Sequence, residues 1–156
     1  MRASQRMMVL LIAGGFAAGC KDDALTSANV PSGGAAVADV APPPPIASEP
    51  LTQRHEFTDD VSVQVRLKPS GRSREVVNID DASRMAVVRF TIQPGVRFPW
   101  HSHPGLVMVA VTKGELVFVY GDDCVQRHYP AGTAFVDPGF GNVHYAFNPT
   151  AGELVI

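Results

Sequence analysis

The alternation of apolar and polar residues after residue 60 constrains the fold of this chain more than any other feature. Val61, Val63, Val65 and Leu67 alternate with polar side chains, which is the period of a half-buried strand. Short apolar runs separated by turn sequences such as Lys113-Gly114 continue to the end, giving about nine or ten predicted strands, and no stretch after residue 55 has a helical period. The sequence therefore predicts an all-β sandwich or barrel.

Three of the five histidines form a candidate metal site. His101 and His103 are two residues apart where the chain enters a predicted strand, so both imidazoles are expected on one face of it. Three imidazoles that converge inside a barrel, with His144 as the third, suit a divalent transition metal such as Fe, Zn, Mn, Ni or Cu and leave positions for water or substrate. An isolated His-x-His is weak evidence, because turns rich in His and Pro often contain it.

The spacing around these histidines resembles the two sequence motifs of the cupin superfamily. The first runs from Gly95 through His101 and His103 to Gly114, and the second contains Gly132-x5-Pro138 and Gly141-x2-His144-x3-Asn148. The resemblance is to small single-domain bacterial cupins. It implies a cupin-type β-barrel, also called a double-stranded β-helix or jelly roll, over residues 55–156. It also implies that His101, His103 and His144 bind one metal ion.

The chain departs from that motif at Val107, where the superfamily usually has a metal-binding Glu. The resemblance then implies a three-histidine site, similar to that of cysteine dioxygenase in the same superfamily. Glu115 is the nearest acid in sequence, but it follows the turn and is not expected to replace the missing ligand. The alternative is a decayed, metal-free site in which the histidines are only packed or hydrogen-bonded.

The remaining histidines and Cys124 have weaker assignments. Cys124 and His128 share parity on a predicted strand over residues 124–129, so they either face the barrel interior or are solvated or packed residues. His55 precedes the β-rich region and is expected on the surface.

The first twenty residues have the pattern of an export signal. Arg2 and Arg6 precede an uncharged apolar stretch over residues 7–18, which is the length of a signal-peptide core and too short to span a bilayer. Ala18-Gly19-Cys20 then resembles the lipobox of bacterial lipoproteins, although Ala17 stands where a large aliphatic residue is usual. We expect a signal peptide over residues 1–19 and lipidation of Cys20. The alternatives are an ordinary secretory signal and a buried N-terminal helix.

The segment that follows has the composition of a linker. Residues 21–50 are rich in Pro, Gly, Ala and Ser, include four consecutive prolines at 42–45, and contain no aromatic residue. Such a segment cannot bury enough apolar surface to fold, so residues 20–54 are predicted to be a disordered linker that carries the lipidated cysteine. At the other end, residues 153–156 stop in the middle of a predicted strand, which favours a fragment.

Charge limits the choice of partners. The formal net charge is −2, and no run of Lys or Arg is present, which argues against nucleic-acid binding and against electrostatic binding to acidic lipids. We expect a small-molecule ligand in the barrel, membrane contact only through the N-terminal lipid, and a location in a bacterial cell envelope facing the periplasm or exterior, or else secretion. A homodimer is left open. Because no acid is expected near the histidines, a binding protein is favoured, and a metal-dependent enzyme of the dioxygenase type is the alternative.

Overall fold

The computed structural model describes residues 42–156, so the predicted signal peptide, Cys20 and most of the linker lie outside the described residues. This part of the chain is all-β and contains no helix, and hence no helix able to span a membrane. Its strands are Ile46–Pro50 (β1), His55–Glu56 (β2), Val63–Leu67 (β3), Glu75–Ile79 (β4), Arg84–Met85 (β5), Val88–Ile92 (β6), Arg97–His101 (β7), Val107–Ala110 (β8), Glu115–Tyr120 (β9), Gln126–Pro130 (β10), Ala134–Asp137 (β11), His144–Phe147 (β12) and Leu154–Val155 (β13). The predicted all-β class is confirmed, and the architecture is consistent with a cupin-type β-barrel.

The strands form two larger sheets and three strand pairs. A four-stranded sheet has the order β10-β9-β12-β7, and a three-stranded sheet has the order β1-β6-β13. The pairs are β11-β8, β3-β4 and β2-β5, and every pairing is antiparallel. The site described below lies where β7, β9 and β12 of the four-stranded sheet meet the end of β11.

Strand β9 is buried on both faces, which is why it reads as a continuous apolar run. Its alternate residues Leu116, Phe118 and Tyr120 face the main hydrophobic core, together with Ile92 of β6 and Leu154 of β13. The other face of β9 carries Val117 and Val119, which cluster with Tyr145, Trp100 and Phe147. The first of these faces continues into the histidine cluster, because Phe118 stacks on the ring of His144 with centroids 4.6 Å apart.

The structure changes the predicted extent of the linker and decides between the alternatives for Cys124 and His128. Strand β1, Ile46–Pro50, lies inside the predicted linker and pairs with β6 from Ile46 opposite Ile92 to Pro50 opposite Val88, so the ordered domain begins earlier than residue 55. In β10 the buried side chain is Arg127, not His128, which is exposed and contacts Glu115. Cys124 lies in the turn before β10 with a φ of 55° and is also exposed, so both residues follow the solvated alternative.

Candidate metal centre

Two strands and one loop bring the three histidines together. His101 is the last residue of β7 and His144 the first of β12, and the two residues face each other in the β12–β7 pairing. Directly opposite residues of an antiparallel pair project from the same face. His103 lies in the loop after β7, so its convergence with His101 does not come from a shared strand as the sequence suggested.

The imidazole rings form a compact cluster. One ring nitrogen from each of the three histidines lies within 4.8 Å of the corresponding nitrogens of the other two. Ring centroids are 4.4 Å apart for His101 and His144, 4.9 Å for His101 and His103, and 5.2 Å for His103 and His144. The spacing fits three nitrogen donors arranged around one ion. No other group of histidine, cysteine and acidic residues with this geometry occurs within residues 42–156.

Backbone carbonyls fix which nitrogen of two rings faces the centre. Nδ1 of His101 is 2.7 Å from the carbonyl oxygen of Pro99, and Nδ1 of His144 is 3.0 Å from that of Asn142. A carbonyl can only accept, so each Nδ1 carries the proton and donates it, and each Nε2 keeps a free lone pair. Hydrogen bonds of this kind orient metal-binding imidazoles in proteins.

A buried acid, which the sequence analysis missed, lies beside two of the three rings. Asp137 ends β11 and is 1% exposed, and its Oδ2 lies 3.3 Å from Nε2 of His103 and 3.4 Å from Nε2 of His144. Its Oδ1 accepts a hydrogen bond from the backbone N–H of Gly139 at 3.0 Å. Oδ2 itself is buried and has no hydrogen-bond partner, the only side-chain oxygen or nitrogen in the described residues of which this is true.

Asp137 corrects the expectation that no acid lies near the histidines. In the β11–β8 pair, Asp137 is directly opposite Val107, the position at which the motif usually supplies Glu. Both side chains therefore project from the same face of this strand pair. A carboxylate therefore lies beside two of the histidines, and it comes from the strand that pairs with β8. Strand alternation after Thr133 was the available signal, because it puts Asp137 on the face of Phe135, which packs against the core.

Burial decides the charge state of His144. The ring is 2% exposed, and loss of solvation lowers the pKa of His144. The Asn142 carbonyl and the Asp137 charge act in the opposite direction, and the two neighbouring imidazoles act in the same direction as burial. His144 is therefore neutral near pH 7, and its approach to Asp137 is not an ion pair there.

The negative charge of Asp137 also reaches Tyr120 at the end of β9. Burial, followed by the charge of Asp137, raises the pKa of Tyr120 to about 12, so its hydroxyl stays protonated. The Arg72 guanidinium lies over the Tyr120 ring, 4.2 Å from its centroid, and that of Arg127 is 5.0 Å away. These two arginines are held by Asp123, so the wall of the site next to Asp137 is fixed by a charged network.

One loop joins the His103 segment to Asp137. Gly139 has a φ of 64°, and its N–H bonds to Asp137, while the N–H of Phe140 donates to the carbonyl of His103 at 2.8 Å. The side chain of His103 is 34% exposed, and Phe140 is also exposed. The centre is thus open to solvent on the His103 side and closed on the His144 side.

The sequence of the site region matches a known protein family. Residues 88–156 match the Cupin_2 family, described as a cupin domain, and the matched residues include the three histidines and Asp137. The family match and the all-β architecture support the cupin superfamily for this part of the chain. No curated protein matches the sequence.

Several solved structures are similar in fold. An RmlC-like cupin from Desulfovibrio desulfuricans is 18% identical, with 80% of this chain and 92% of that chain covered and a TM-score of 0.46. KdgF from Halomonas sp. is 18% identical over 72% of this chain and 76% of its own, with a TM-score of 0.44. An oxalate oxidase is 26% identical over 63% of this chain and 49% of its own, with a TM-score of 0.43.

Proposed function

We propose that this domain binds one divalent transition-metal ion through His101, His103 and His144, and that a small molecule completes the coordination from the open side. The observation that carries the proposal is the convergence of three ring nitrogens within 4.8 Å. Two of the rings are locked by backbone carbonyls so that Nε2 is the free donor. Imidazole donors of this number suit Fe, Zn, Mn, Ni or Cu.

The residues present fit an ion better than they fit a packed, metal-free core. A neutral His144 offers a lone pair on Nε2 towards a carboxylate oxygen that also has only lone pairs to offer. Two acceptors that face each other at 3.4 Å in a buried site are unfavourable, and a cation between them removes the conflict. When bound, such an ion supplies Lewis-acid or redox chemistry to a ligand in its open positions.

The chain's own residues define how a ligand would reach the ion. The buried side is formed by His144 and the stacked ring of Phe118, which exclude water. Access is from the side of the partly exposed His103. A small molecule with oxygen or nitrogen donors could complete the coordination from that side.

Binding without turnover was favoured when no acid was expected near the histidines. Asp137 removes that reason, so metal-dependent oxidation of the dioxygenase type stands as the second candidate function. Oxygen uptake by the iron-loaded protein with candidate small-molecule substrates distinguishes the two. A binding protein consumes no oxygen above the rate of free iron.

Metal content tests the proposal directly. We expect untagged protein to contain close to one equivalent of metal, or to take up one equivalent from Fe, Zn, Mn, Ni or Cu. His101→Ala, His103→Ala and His144→Ala should each lower this value strongly, because two remaining imidazoles compete poorly with water. His55→Ala and His128→Ala are matched controls, since both side chains are exposed away from the cluster. Wild-type protein that binds none of the five metals would refute the proposal.

We further propose that the protein is exported and anchored by lipid at Cys20. The support is the Ala18-Gly19-Cys20 sequence after an uncharged apolar stretch. The mass of the N-terminal peptide of membrane-extracted protein tests this proposal. A diacylated Cys20 supports the anchor, and an unmodified or disulfide-linked Cys20 refutes it.

A further inference from the structure

We infer that Asp137 is the fourth protein ligand of this site and replaces, from strand β11, the carboxylate that Val107 cannot supply. The inference rests on the proposed metal binding, and it adds the residue that sets the charge and the metal preference of the centre. It depends on three observations: the side of the histidines on which Asp137 lies, the unsatisfied state of its Oδ2, and its register with Val107.

Asp137 lies on the metal-facing side of the imidazoles. The Nδ1 atom of His144 is occupied by the Asn142 carbonyl, so only Nε2 can bind a metal. It is this Nε2 that lies 3.4 Å from Oδ2 of Asp137, and Nε2 of His103 lies 3.3 Å from the same oxygen. One oxygen therefore shares the space between two candidate donor nitrogens.

An orienting role, in which the carboxylate accepts a hydrogen bond from the far side of a ligand imidazole, does not fit the geometry at His144. That role requires contact with the ring nitrogen that does not bind metal. For His101 and His144 the position is already filled by the carbonyls of Pro99 and Asn142. Asp137 contacts the opposite edge of His144, where a ligand and not an orienting group belongs.

One oxygen of the Asp137 carboxylate is fixed by a hydrogen bond and the other is left without a partner, as in a carboxylate that binds metal through one oxygen. Oδ1 is fixed by the N–H of Gly139, whereas Oδ2 is buried without a donor and points among the histidines. Leaving a buried carboxylate oxygen unsatisfied is costly. A cation bound by Oδ2 and the three imidazoles satisfies it and reduces the local charge from +2 to +1.

The strand register shows why a carboxylate at residue 137 can replace one at residue 107. Asp137 and Val107 are directly opposite each other on β11 and β8, with Cβ atoms of such pairs about 5 Å apart. A carboxylate on either residue can reach the same volume in front of the histidines. The oxygen donor should favour Mn²⁺ and Fe²⁺ relative to a site of imidazoles alone, since carboxylates suit Mn²⁺ and imidazoles suit Ni²⁺.

The primary test is Asp137→Asn, with binding of Mn²⁺ and Ni²⁺ as the probes. The amide keeps an Oδ1 acceptor for Gly139 but replaces Oδ2 by an N–H donor. We expect Mn²⁺ affinity to fall by on the order of 100-fold or more, and Ni²⁺ affinity to fall less. Replacing a residue that only hydrogen-bonds to a metal ligand already lowers affinity by about 10–100-fold. Glu115→Gln is the control, because this acid contacts exposed His128 outside the site, and its Mn²⁺ affinity should equal that of wild type.

Stability of the metal-free protein separates a ligand from a structural residue. In Asp137→Asn the new amide N–H can donate to the lone pairs of the imidazoles, so the metal-free variant should melt at or above the temperature of metal-free wild type. A carboxylate that served to hold charged histidines together would give the opposite result, a lower melting temperature.

Transfer of the carboxylate is the rescue experiment. Val107→Glu in the Asp137→Asn background should restore most of the lost Mn²⁺ affinity, because the Glu projects from the opposite position of the same pair. Asp137→Asn that binds Mn²⁺ as wild type does would overturn the inference while leaving the three-histidine proposal intact. Wild type that binds no metal would overturn both. If the double variant fails to fold, the comparison of Mn²⁺ and Ni²⁺ loss in Asp137→Asn still decides.

Discussion

Gly139 provides a steric test of how the site is assembled. It has a φ of 64°, and a Cβ added to it would overlap the carbonyl oxygen of Gly105 and lie 2.7 Å from the Gly105 carbonyl carbon and 3.3 Å from the His103 oxygen. Its N–H also holds Asp137. The loop that carries His103 and the turn after β11 therefore approach more closely than any side chain at this position allows.

The expected cost of Gly139→Ala has two parts. Left-handed backbone costs a non-glycine residue about 1–2 kcal/mol, and relieving the overlap with Gly105 adds about 1–3 kcal/mol. Gly141 is a matched control in the same loop, because it has a φ of 88° but no atom within 4 Å of an added Cβ. Gly141→Ala should lose only the backbone part, about 1–2 kcal/mol.

Urea unfolding of the two metal-free variants measures this difference, and Mn²⁺ titration measures its effect on the site. We expect Gly139→Ala to be less stable than Gly141→Ala and also to bind Mn²⁺ more weakly, because the backbone must move where it holds His103 and Asp137. Equal unfolding free energies for the two variants, with equal Mn²⁺ affinities, would refute the packing argument.

Three further predictions concern stability and location. Asn148 is fully buried and its amide donates to the carbonyls of Ile92, Gln93 and Gly152, so Asn148→Ala should reduce the free energy of unfolding by roughly 3 kcal/mol, measured by urea titration. The hydrogen bond from Arg127 lowers the pKa of Asp123 from 3.8 to about 2, so this stabilisation is complete above about pH 4 and is lost as pH falls towards 2. Asp123→Asn should therefore lower the free energy of unfolding by about 2 kcal/mol at pH 7. The difference from wild type should shrink between pH 4 and pH 2, as measured by unfolding at a series of pH values. Cys20→Ala should move the protein from the membrane to the soluble fraction, and unchanged fractionation would contradict the anchor.

The all-β class and the histidine cluster could be predicted because both follow from local sequence patterns. Period-two alternation identified most strands, and the spacing of His101, His103 and His144 within the two motifs predicted their convergence. Boundaries were less accurate. The described residues form thirteen strands where about nine or ten were predicted, and three of the thirteen have only two residues.

Strand alternation could place Asp137 on the inward face of its strand, but its position beside the histidines could not be read from local sequence. The order of β1 could not be read either, because both depend on pairing between distant segments. The importance of Asp137 comes from its register with Val107, thirty residues earlier in the chain, and no residue near it in sequence signals that partner. Strand β1 begins after four prolines and has the composition of a linker. Its order comes from the backbone of β6, a tertiary interaction that overrides local propensity.

The most direct measurement of the central claim is anomalous diffraction from a crystal of the metal-loaded protein, collected at the absorption edge of the bound metal. The account predicts one peak, about 2.0–2.2 Å from a ring nitrogen of each of His101, His103 and His144. A fully loaded crystal with no peak at these histidines, or with its metal bound elsewhere on the domain, would contradict it.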